Sequence, residues 1–552
     1  MIWIFLAGCT PSKESNSDTN QMDTATNTEE ISNPEWYGTV QPFVAENCST
    51  CHYEGGSAPF SFEQYEDVAI LAPVMLTAMQ SGSMPPWLPN TDCNEFQDAR
   101  SIKSSDIEQF AQWIEDGSPM GDPALGESPI PMVTDIEATH SLSMPTGFVP
   151  NTANGNDQYR CFKLDANFPE HTFITQTQVK PGTPQVHHVL IYALAPEMAA
   201  AVDEANGADG QVGYPCFGNP FPRNSGSYDY GFPTQVGAWV PGLEPSIFPE
   251  GTALRIKQDS ILVMQVHYSA LGGSDMEDST SYHYVTSDTA PDLIASTHPL
   301  AIQDLDIPAG QRYTSFRDTF TNYSNESFEL VSLATHMHLL GKSQYVRLLH
   351  NDGSSECLLD IPDWDFAWQQ SYRPTESIMV APTESIEVTC AFDNSPENQP
   401  FVDGTQIEPA DVEWGDGTLD EMCLLYTTIL KPYTPLPPND APACWGVEEC
   451  LSSCGDSLSC VLSCESVEFE CITCSLDAFL DCGVMDCAVE GLAAEPCLRE
   501  CYAKSIMMGT PIGSCLEYEC PTEYNALQSC ADPVLQSDTC KSQLQSCGIP
   551  LE

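Results

Sequence analysis

Apolar and polar positions divide the chain into segments with different predicted structure. Apolar residues recur at helical spacing in Phe62–Gln80 and Ser105–Asp116, which predicts two helices in a small domain over residues 34–125. From about Pro131 to Lys431, short apolar or alternating runs recur between clusters of Gly, Pro, Asn and Asp. Such runs are typical of β-strands. Their number and the length of the region favour two antiparallel β-sandwiches.

Five runs carry this strand pattern most clearly. They are His171–Lys180, Val186–Leu194, Ile261–Tyr268, Leu330–Leu340 and Glu421–Leu430. We place the first sandwich at residues 130–290 and the second at residues 291–435. A Pro-rich, semi-rigid linker over Pro432–Pro442 follows them.

The two ends of the chain have a different composition. Residues 9–33 are rich in Ser, Thr, Asn and Asp and lack aromatic residues, which is typical of a disordered tether. Residues 441–552 hold 16 of the 25 cysteines. Pairs with i,i+4 spacing, such as Cys497 and Cys501, share a helix face, so we predict a helical module stapled by disulfides. Metal binding by some of these cysteines is the alternative.

The charge of the chain excludes one class of partner. Lys and Arg number 18 against 79 Asp and Glu, which gives a formal charge of −61. A nucleic-acid-binding protein needs a basic surface, so we expect no nucleic-acid partner. An anionic membrane surface would also repel the chain.

The cysteine-rich end requires an oxidising compartment, so we predict an exported protein. Residues 1–8 are apolar, end in Leu-Ala-Gly before Cys9, and resemble the signal of a bacterial lipoprotein in which Cys9 carries the lipid. The segment is short and lacks a positive region, so a chance match is the alternative. We expect a lipoprotein of the outer membrane or cell surface, or a periplasmic protein, whose membrane contact is this N-terminal anchor.

Cys48, Cys51 and His52 form a Cys-x2-Cys-His motif, the attachment sequence of haem c. The two thiols can bind the haem vinyl groups, and His52 can be an axial ligand. Met84, about 30 residues further on and before a Pro pair, is the candidate second axial ligand. A disulfide between the two cysteines is the alternative. With its closing helix, residues 34–125 resemble the single-haem cytochrome c domains fused to bacterial oxidoreductases.

Five of the eleven histidines lie in three short motifs, namely His187-His188, His267 and His336-x-His338. Residues i and i+2 of a strand share a face, so His336 and His338 can bind one ion together. His187 and His188 would point to opposite faces of a regular strand, so both reach one ion only at a strand end or a β-bulge. Three histidines suit zinc, whereas a thioether ligand would favour copper.

These motifs, in this order, resemble the copper type II, ascorbate-dependent monooxygenases over roughly residues 147–431. The resemblance implies two jelly-roll-like β-sandwiches and two separate copper ions. The ligand sets that it implies are His187, His188 and His267 for an electron-storing copper, and His336, His338 and Met422 for the copper that activates O2.

The resemblance extends to two further segments. Residues 157–161 are similar to a D-x-Y-x-C strand of the family, and residues 421–426 to its E-M-C-x-L-Y segment. The disulfides that it implies are Cys161–Cys216 and Cys390–Cys423. Tyr426 is kept from the second segment and is a candidate catalytic residue. Gln265 shares a strand face with His267 and is a candidate for ordering water between the coppers.

Two positions depart from the peptide-amidating members of that family. Ala334 stands where those enzymes carry an Arg that grips the substrate carboxylate, and Leu424 stands where they carry an Asn. We therefore predict that the protein does not hydroxylate peptides ending in glycine. The scarcity of cations also disfavours anionic substrates.

The leading prediction is an exported copper monooxygenase that hydroxylates a C–H bond of a small organic substrate with O2. Ascorbate or a redox protein would donate electrons, and the fused haem domain would pass them to the three-histidine copper. The alternative is a non-enzymatic surface lipoprotein that carries electrons or binds copper. Met422 separates the two, because a storage protein needs no open copper position for O2.

Overall fold

The computed structural model describes residues 33–433, apart from short gaps, and eight residues near the C-terminus. The gaps are 50, 54–57, 59, 98, 101, 127–134, 152–157, 217–218, 223–232, 241–242, 244, 269–275, 325, 367, 403–404 and 416, and the C-terminal residues are 497, 501, 504, 515 and 518–521. The predicted signal, the predicted lipidation site at Cys9, the predicted tether and most of the cysteine-rich module lie outside the described residues.

Three helices form the first part of the molecule, and a fourth lies within the β region. They are α1 (Gln41–Asn47), α2 (Tyr65–Ser81), α3 (Ser104–Glu115) and α4 (Ala199–Ala205). The two helices predicted from periodicity are confirmed as α2 and α3. Helix α2 ends at Gly82, whose φ of +73° favours glycine. No helix of the described residues is long and apolar enough to cross a membrane.

A small apolar core holds the helical part together. Trp36, Phe110 and Trp113 pack against Val68 and Met79 of α2, and all five are buried. The helical character predicted for this segment is therefore present. Its assignment as a cytochrome c domain stays a prediction.

Twenty-three strands are described. The strands up to residue 287 are β1 (His140–Ser143), β2 (Gln158–Lys163), β3 (Thr172–Lys180), β4 (Val186–Leu194), β5 (Tyr214–Pro215), β6 (Thr234–Trp239), β7 (Ser246–Ile247), β8 (Thr252–Ile256), β9 (Ile261–Tyr268) and β10 (Ser281–Ser287). Those that follow are β11 (Leu293–Ala301), β12 (Asp306–Ile307), β13 (Thr314–Thr321), β14 (Phe328–His336), β15 (Gly341–Leu349), β16 (Ser355–Ile361), β17 (Ser371–Tyr372), β18 (Ile378–Val380), β19 (Ser385–Phe392), β20 (Phe401–Val402), β21 (Thr405–Gln406), β22 (Val412–Glu413) and β23 (Leu424–Pro432).

The first sandwich packs a five-stranded sheet, in the order β5-β2-β9-β4-β6, against β1, β10, β3 and β8. Facing side chains such as Phe162, Val189 and Met264 form its core. On the other face of the five-stranded sheet, Val202 of α4 joins a second cluster that contains Cys161. Strand β9 is covered on both faces, so all of its residues are buried and its sequence is nearly all apolar.

The second sandwich packs β13-β19-β15-β16 against β11-β23-β14-β17, with β18 also beside β14. Its core includes Phe320, Leu333 and Val388. A disulfide between Cys390 of β19 and Cys423, just before β23, joins the two sheets. The sandwich architecture predicted from the strand pattern is thus present in both halves.

The two sandwiches share one sheet. Strand β8 of the first pairs in parallel with β11 of the second, with Thr252 beside Leu293 and Ala253 beside Ile294. All other pairs of described strands are antiparallel. A ten-stranded sheet therefore runs through both halves, which the sequence pattern does not predict.

Residues 87–100, which we call the strap, fasten the helical part to the second sandwich. A disulfide joins Cys93 of the strap to Cys357 of β16. Phe96 is buried in the core of the second sandwich, and Trp87 packs against its edge. The sequence offers no partner for Cys93, because its partner lies 264 residues further along.

The described residues of the cysteine-rich module are mostly helical and are held by two disulfides, Cys497–Cys520 and Cys501–Cys515. These pairs fit the predicted staple of two helix faces. The module contacts the second sandwich, where the Tyr323 hydroxyl donates to Glu519 at 2.6 Å.

Candidate metal centre

Three histidines converge at one end of the five-stranded sheet. His187 and His188 lie on β4, and His267 lies opposite His188 on β9. The pairing between these strands shifts register between Val186 and His188, which makes His187 the extra residue of a β-bulge. The bulge allows two adjacent histidines to face one point, as the ligand geometry requires.

The three imidazoles are close enough to bind one ion. A ring nitrogen from each lies within 4.8 Å of the others. The Nδ1 atom of His188 is 3.4 Å from that of His187 and 3.3 Å from that of His267. Burial, reinforced by the neighbouring histidines, holds the pKa of His188 well below its usual range. A neutral imidazole is the form that binds a metal.

Tyr159 supports this site and was not singled out from the sequence. Its ring stacks on His267 with centroids 4.1 Å apart and an angle of 8° between the planes. The two residues are register partners on β2 and β9. Tyr159 belongs to the segment that resembles the D-x-Y-x-C strand, which is the signal that could have identified it.

The second set of histidines lies at the end of β14. His336 is the last residue of the strand, and His338 follows in the turn to β15. Their ring centroids are 5.1 Å apart. The Nδ1 of His336 donates to the side-chain oxygen of Gln369 at 2.7 Å, and the Nδ1 of His338 donates to the carbonyl of Asp420 at 3.0 Å. These contacts fix the orientation of both rings.

Glu421 joins these histidines to Met422. Its side chain is fully buried and accepts backbone N–H groups from His338 at 2.9 Å, Leu340 at 2.6 Å and Met422 at 3.2 Å. One carboxyl group therefore holds the His336-x-His338 turn beside the start of β23. Sequence reasoning did not predict this role, because the contacts span about 80 residues with no local pattern.

Burial controls the electrostatics of this second site. Burial, together with the neighbouring His338, lowers the pKa of His336 to about 3. Burial also lowers the pKa of His338, although the hydrogen bond to Asp420 opposes this. Burial raises the pKa of Glu421 to about 8, against the effect of the backbone N–H groups that donate to its carboxyl group. Both imidazoles are thus neutral at neutral pH.

Residues 301–445 match the family model described as copper type II ascorbate-dependent monooxygenase, C-terminal domain. This segment, about a quarter of the chain, is similar to that domain. The matched segment contains His336, His338 and Met422, whereas the three histidines of the first site precede it. No curated protein matches the chain.

Solved structures resemble the chain only remotely. The major capsid protein P2 from bacteriophage PM2 is 10% identical, with a TM-score of 0.21 and coverage of 53% of this chain and 98% of that one. A structure of infectious bursal disease virus Gx strain is 9% identical, with a TM-score of 0.16 and coverage of 57% and 77%. These TM-scores are too low to assign a fold or a function.

The monooxygenase resemblance implies two disulfides, and the structure contains both of them, Cys161–Cys216 and Cys390–Cys423. Gln265 lies beside the first. Its amide donates to the sulfur of Cys216 at 3.7 Å, and its side chain is buried. The structure therefore gives Gln265 a packing contact at the disulfide. Its predicted role in ordering water stays a hypothesis.

Tyr426 of β23 and Ala334 of β14 are register partners in the sheet of the second sandwich. Tyr426 is half-buried, as is Ala334, two residues before His336. Leu424 pairs with His336 itself and is buried. The positions at which the sequence departs from the peptide-amidating enzymes thus lie directly beside the second histidine site.

The candidate haem residues lie in the helical part. Cys48 and Cys51 are not joined in a disulfide. Burial raises the pKa of the Cys48 thiol to about 12, and Cys51 adds to this effect. The His52 Nδ1 donates to the carbonyl of Phe60 at 3.0 Å, which leaves Nε2 available to iron. Met84 is 45% exposed, so it is not part of the helical core.

Proposed function

We propose that the protein is an exported monooxygenase that uses O2 and two separate coppers to hydroxylate a C–H bond of a small, uncharged organic substrate. The observation that most supports this proposal is the second histidine site, which lies inside the segment that matches the monooxygenase family. Copper bound by this chain would supply one-electron redox chemistry and an open coordination position for O2.

The donor atoms of the first site fit copper or zinc. His187, His188 and His267 present ring nitrogens to one point, and burial keeps the imidazole of His188 neutral by lowering its pKa. The stacked ring of Tyr159 holds His267 in place. We assign this site the storage of one electron, because three imidazole ligands bind both oxidation states of copper.

The donor atoms of the second site favour copper. His336 and His338 are oriented by hydrogen bonds at Nδ1, and Glu421 keeps the adjacent Met422 next to their turn. A thioether is a soft ligand that selects reduced copper over zinc. We therefore assign Met422 as the third ligand and this site as the place of reaction.

The surroundings of the second site favour a neutral substrate. Ala334 carries no charge, and its partner across the sheet is the phenol of Tyr426. We assign Tyr426 to substrate contact. Its side chain is half-buried, and it lies on β23 two residues after Leu424, which is the register partner of His336. A peptide ending in glycine should not be turned over, because no Arg stands at residue 334 to bind its carboxylate.

Electrons are proposed to come from ascorbate or a redox protein, with haem c on Cys48, Cys51 and His52 as the entry point. The separate thiols and the fixed His52 ring fit this group. Met84 is the proposed second axial ligand. The export signal and the lipid on Cys9 complete the proposal, which places the enzyme at a bacterial outer membrane or surface, or in the periplasm.

The test is a metal count combined with O2 consumption. The protein is secreted from a host that attaches haem c, loaded with copper and measured for copper and iron per chain. We expect two coppers and one iron, and O2 consumption that depends on a reductant. Met422→Leu should lose that consumption, whereas the matched control Met144→Leu, whose side chain is equally buried but lies in the core of the first sandwich, should keep it.

Each outcome has a distinct meaning. Iron without copper would refute both copper sites. Copper without iron would refute the haem and leave the monooxygenase standing. Full O2 consumption by Met422→Leu would refute the assignment of the third ligand.

A further inference from the structure

A single aromatic ring lies between the two histidine sites. Phe366 belongs to the loop between β16 and β17, which spans residues 362–370. Its ring stacks on His187 with centroids 5.5 Å apart and planes 20° apart. It also meets His338 edge to face, with centroids 6.1 Å apart and an angle of 88°. One side chain thus contacts an imidazole of each site.

The same loop is bonded to the second site at two other points. Gln369 accepts from His336 and donates its amide to the carbonyl of Phe366 at 3.0 Å. The indole of Trp364 donates to the carbonyl of His338 at 3.1 Å. These contacts connect the position of the Phe366 ring to the positions of both second-site histidines.

The strap holds the loop from its outer side. Arg100 lies over the ring of Trp368 at 5.3 Å, and the backbone N–H of Gln97 donates to the carbonyl of Arg373 at 2.8 Å. The disulfide between Cys93 and Cys357 anchors the strap close to the start of the loop. The loop therefore contacts the histidines on one side and the strap on the other.

We propose that Phe366 is a spacer that fixes the separation of the two copper sites. The inference rests on the proposed two-copper function. Phe366 acts through the imidazoles it contacts, so it is a positioning residue. Because the Phe366 ring contacts both His187 and His338, these two imidazoles are separated by about the width of one aromatic ring.

The shared ten-stranded sheet holds the two sandwiches together, and Phe366 sets the distance at the sites themselves. Loss of the ring would open a cavity that either fills with water or lets the two sites approach each other.

The spacer is tested with Phe366→Ala, with Phe366→Tyr as the variant that keeps the ring. Phe316→Ala, a partly buried phenylalanine that packs on Phe392, is the matched control. The first readout is hydrogen exchange of the metal-free full chain, followed by mass spectrometry. Phe366→Ala should raise exchange by about tenfold in both ligand segments, residues 186–189 and 335–340, while the other two variants should not.

The second readout is the dipolar broadening of the Cu(II) EPR spectrum in frozen, fully loaded protein. Phe366→Ala should change this broadening, and Phe366→Tyr should keep it. A rise in exchange confined to residues 362–370, or an unchanged spectrum in Phe366→Ala, would overturn the spacer. If the wild type binds fewer than two coppers, the proposed function fails, and the exchange measurement on metal-free protein still decides the role of Phe366.

Discussion

Replacing Glu421 should separate the two halves of the second site. Its carboxyl group is fully buried and accepts three backbone N–H groups, from His338, Leu340 and Met422. In Glu421→Ala all three donors lose their acceptor and a small cavity remains. In Glu421→Gln one oxygen remains, while the new NH2 group faces at least one of the donors.

The magnitude follows from the number of donors affected. A buried donor without an acceptor costs about 1–3 kcal/mol. Glu421→Gln should therefore lower the free energy of unfolding by about 1–3 kcal/mol, and Glu421→Ala by at least about 3 kcal/mol. Met422 would no longer be held beside His338, so both variants should bind the second copper more weakly.

The assay is urea denaturation of the metal-free protein together with a competitive copper titration. Glu413→Gln is the matched control, because Glu413 is an exposed residue whose backbone pairs with Glu421. A loss below about 0.5 kcal/mol in Glu421→Ala would refute the reasoning, since an unimportant surface change has this size. Unchanged affinity for both coppers would refute the role in holding Met422.

Two further predictions concern stability away from the copper sites. The hydrogen bond from His350 to Glu384 raises the pKa of the imidazole. The stabilisation that this bond gives the folded protein is therefore present below the unfolded pKa of 6.5 and is lost as the pH rises through the raised pKa. His350→Gln should lower the melting temperature at pH 6 and change it little at pH 9. Replacing both Cys93 and Cys357 by Ala should cost about 2–5 kcal/mol, because their disulfide closes a very long loop, and limited proteolysis should then cut the strap faster than in wild type.

The sequence predicts well those elements whose pattern is local. Strands β4 and β9 have the predicted bounds, since turn residues flank two uninterrupted apolar runs. The need for a strand end or a bulge at His187 also follows from the sequence, because two adjacent ligands cannot face one ion from a regular strand. Whether a bulge exists there depends on the partner strand, which periodicity does not specify.

Contacts between distant loops could not be predicted. Phe366 and Gln369 lie in a loop with no periodic pattern, and their importance arises only when β14 and the first sandwich meet them. The partner of Cys93 is likewise set by how the strap folds over β16. Cysteine spacing cannot identify such a pair, because any distant cysteine is equally compatible with the sequence.

The parallel pairing of β8 with β11 has a consequence for dividing the molecule. A cut near residue 290 would leave each half with an exposed edge strand. The unpaired N–H and C=O groups of that strand can form hydrogen bonds with strands of other chains. Either half produced alone should therefore aggregate. The histidines of both sites therefore depend on one continuous sheet. Neither half should be transferable to another protein as a separate domain.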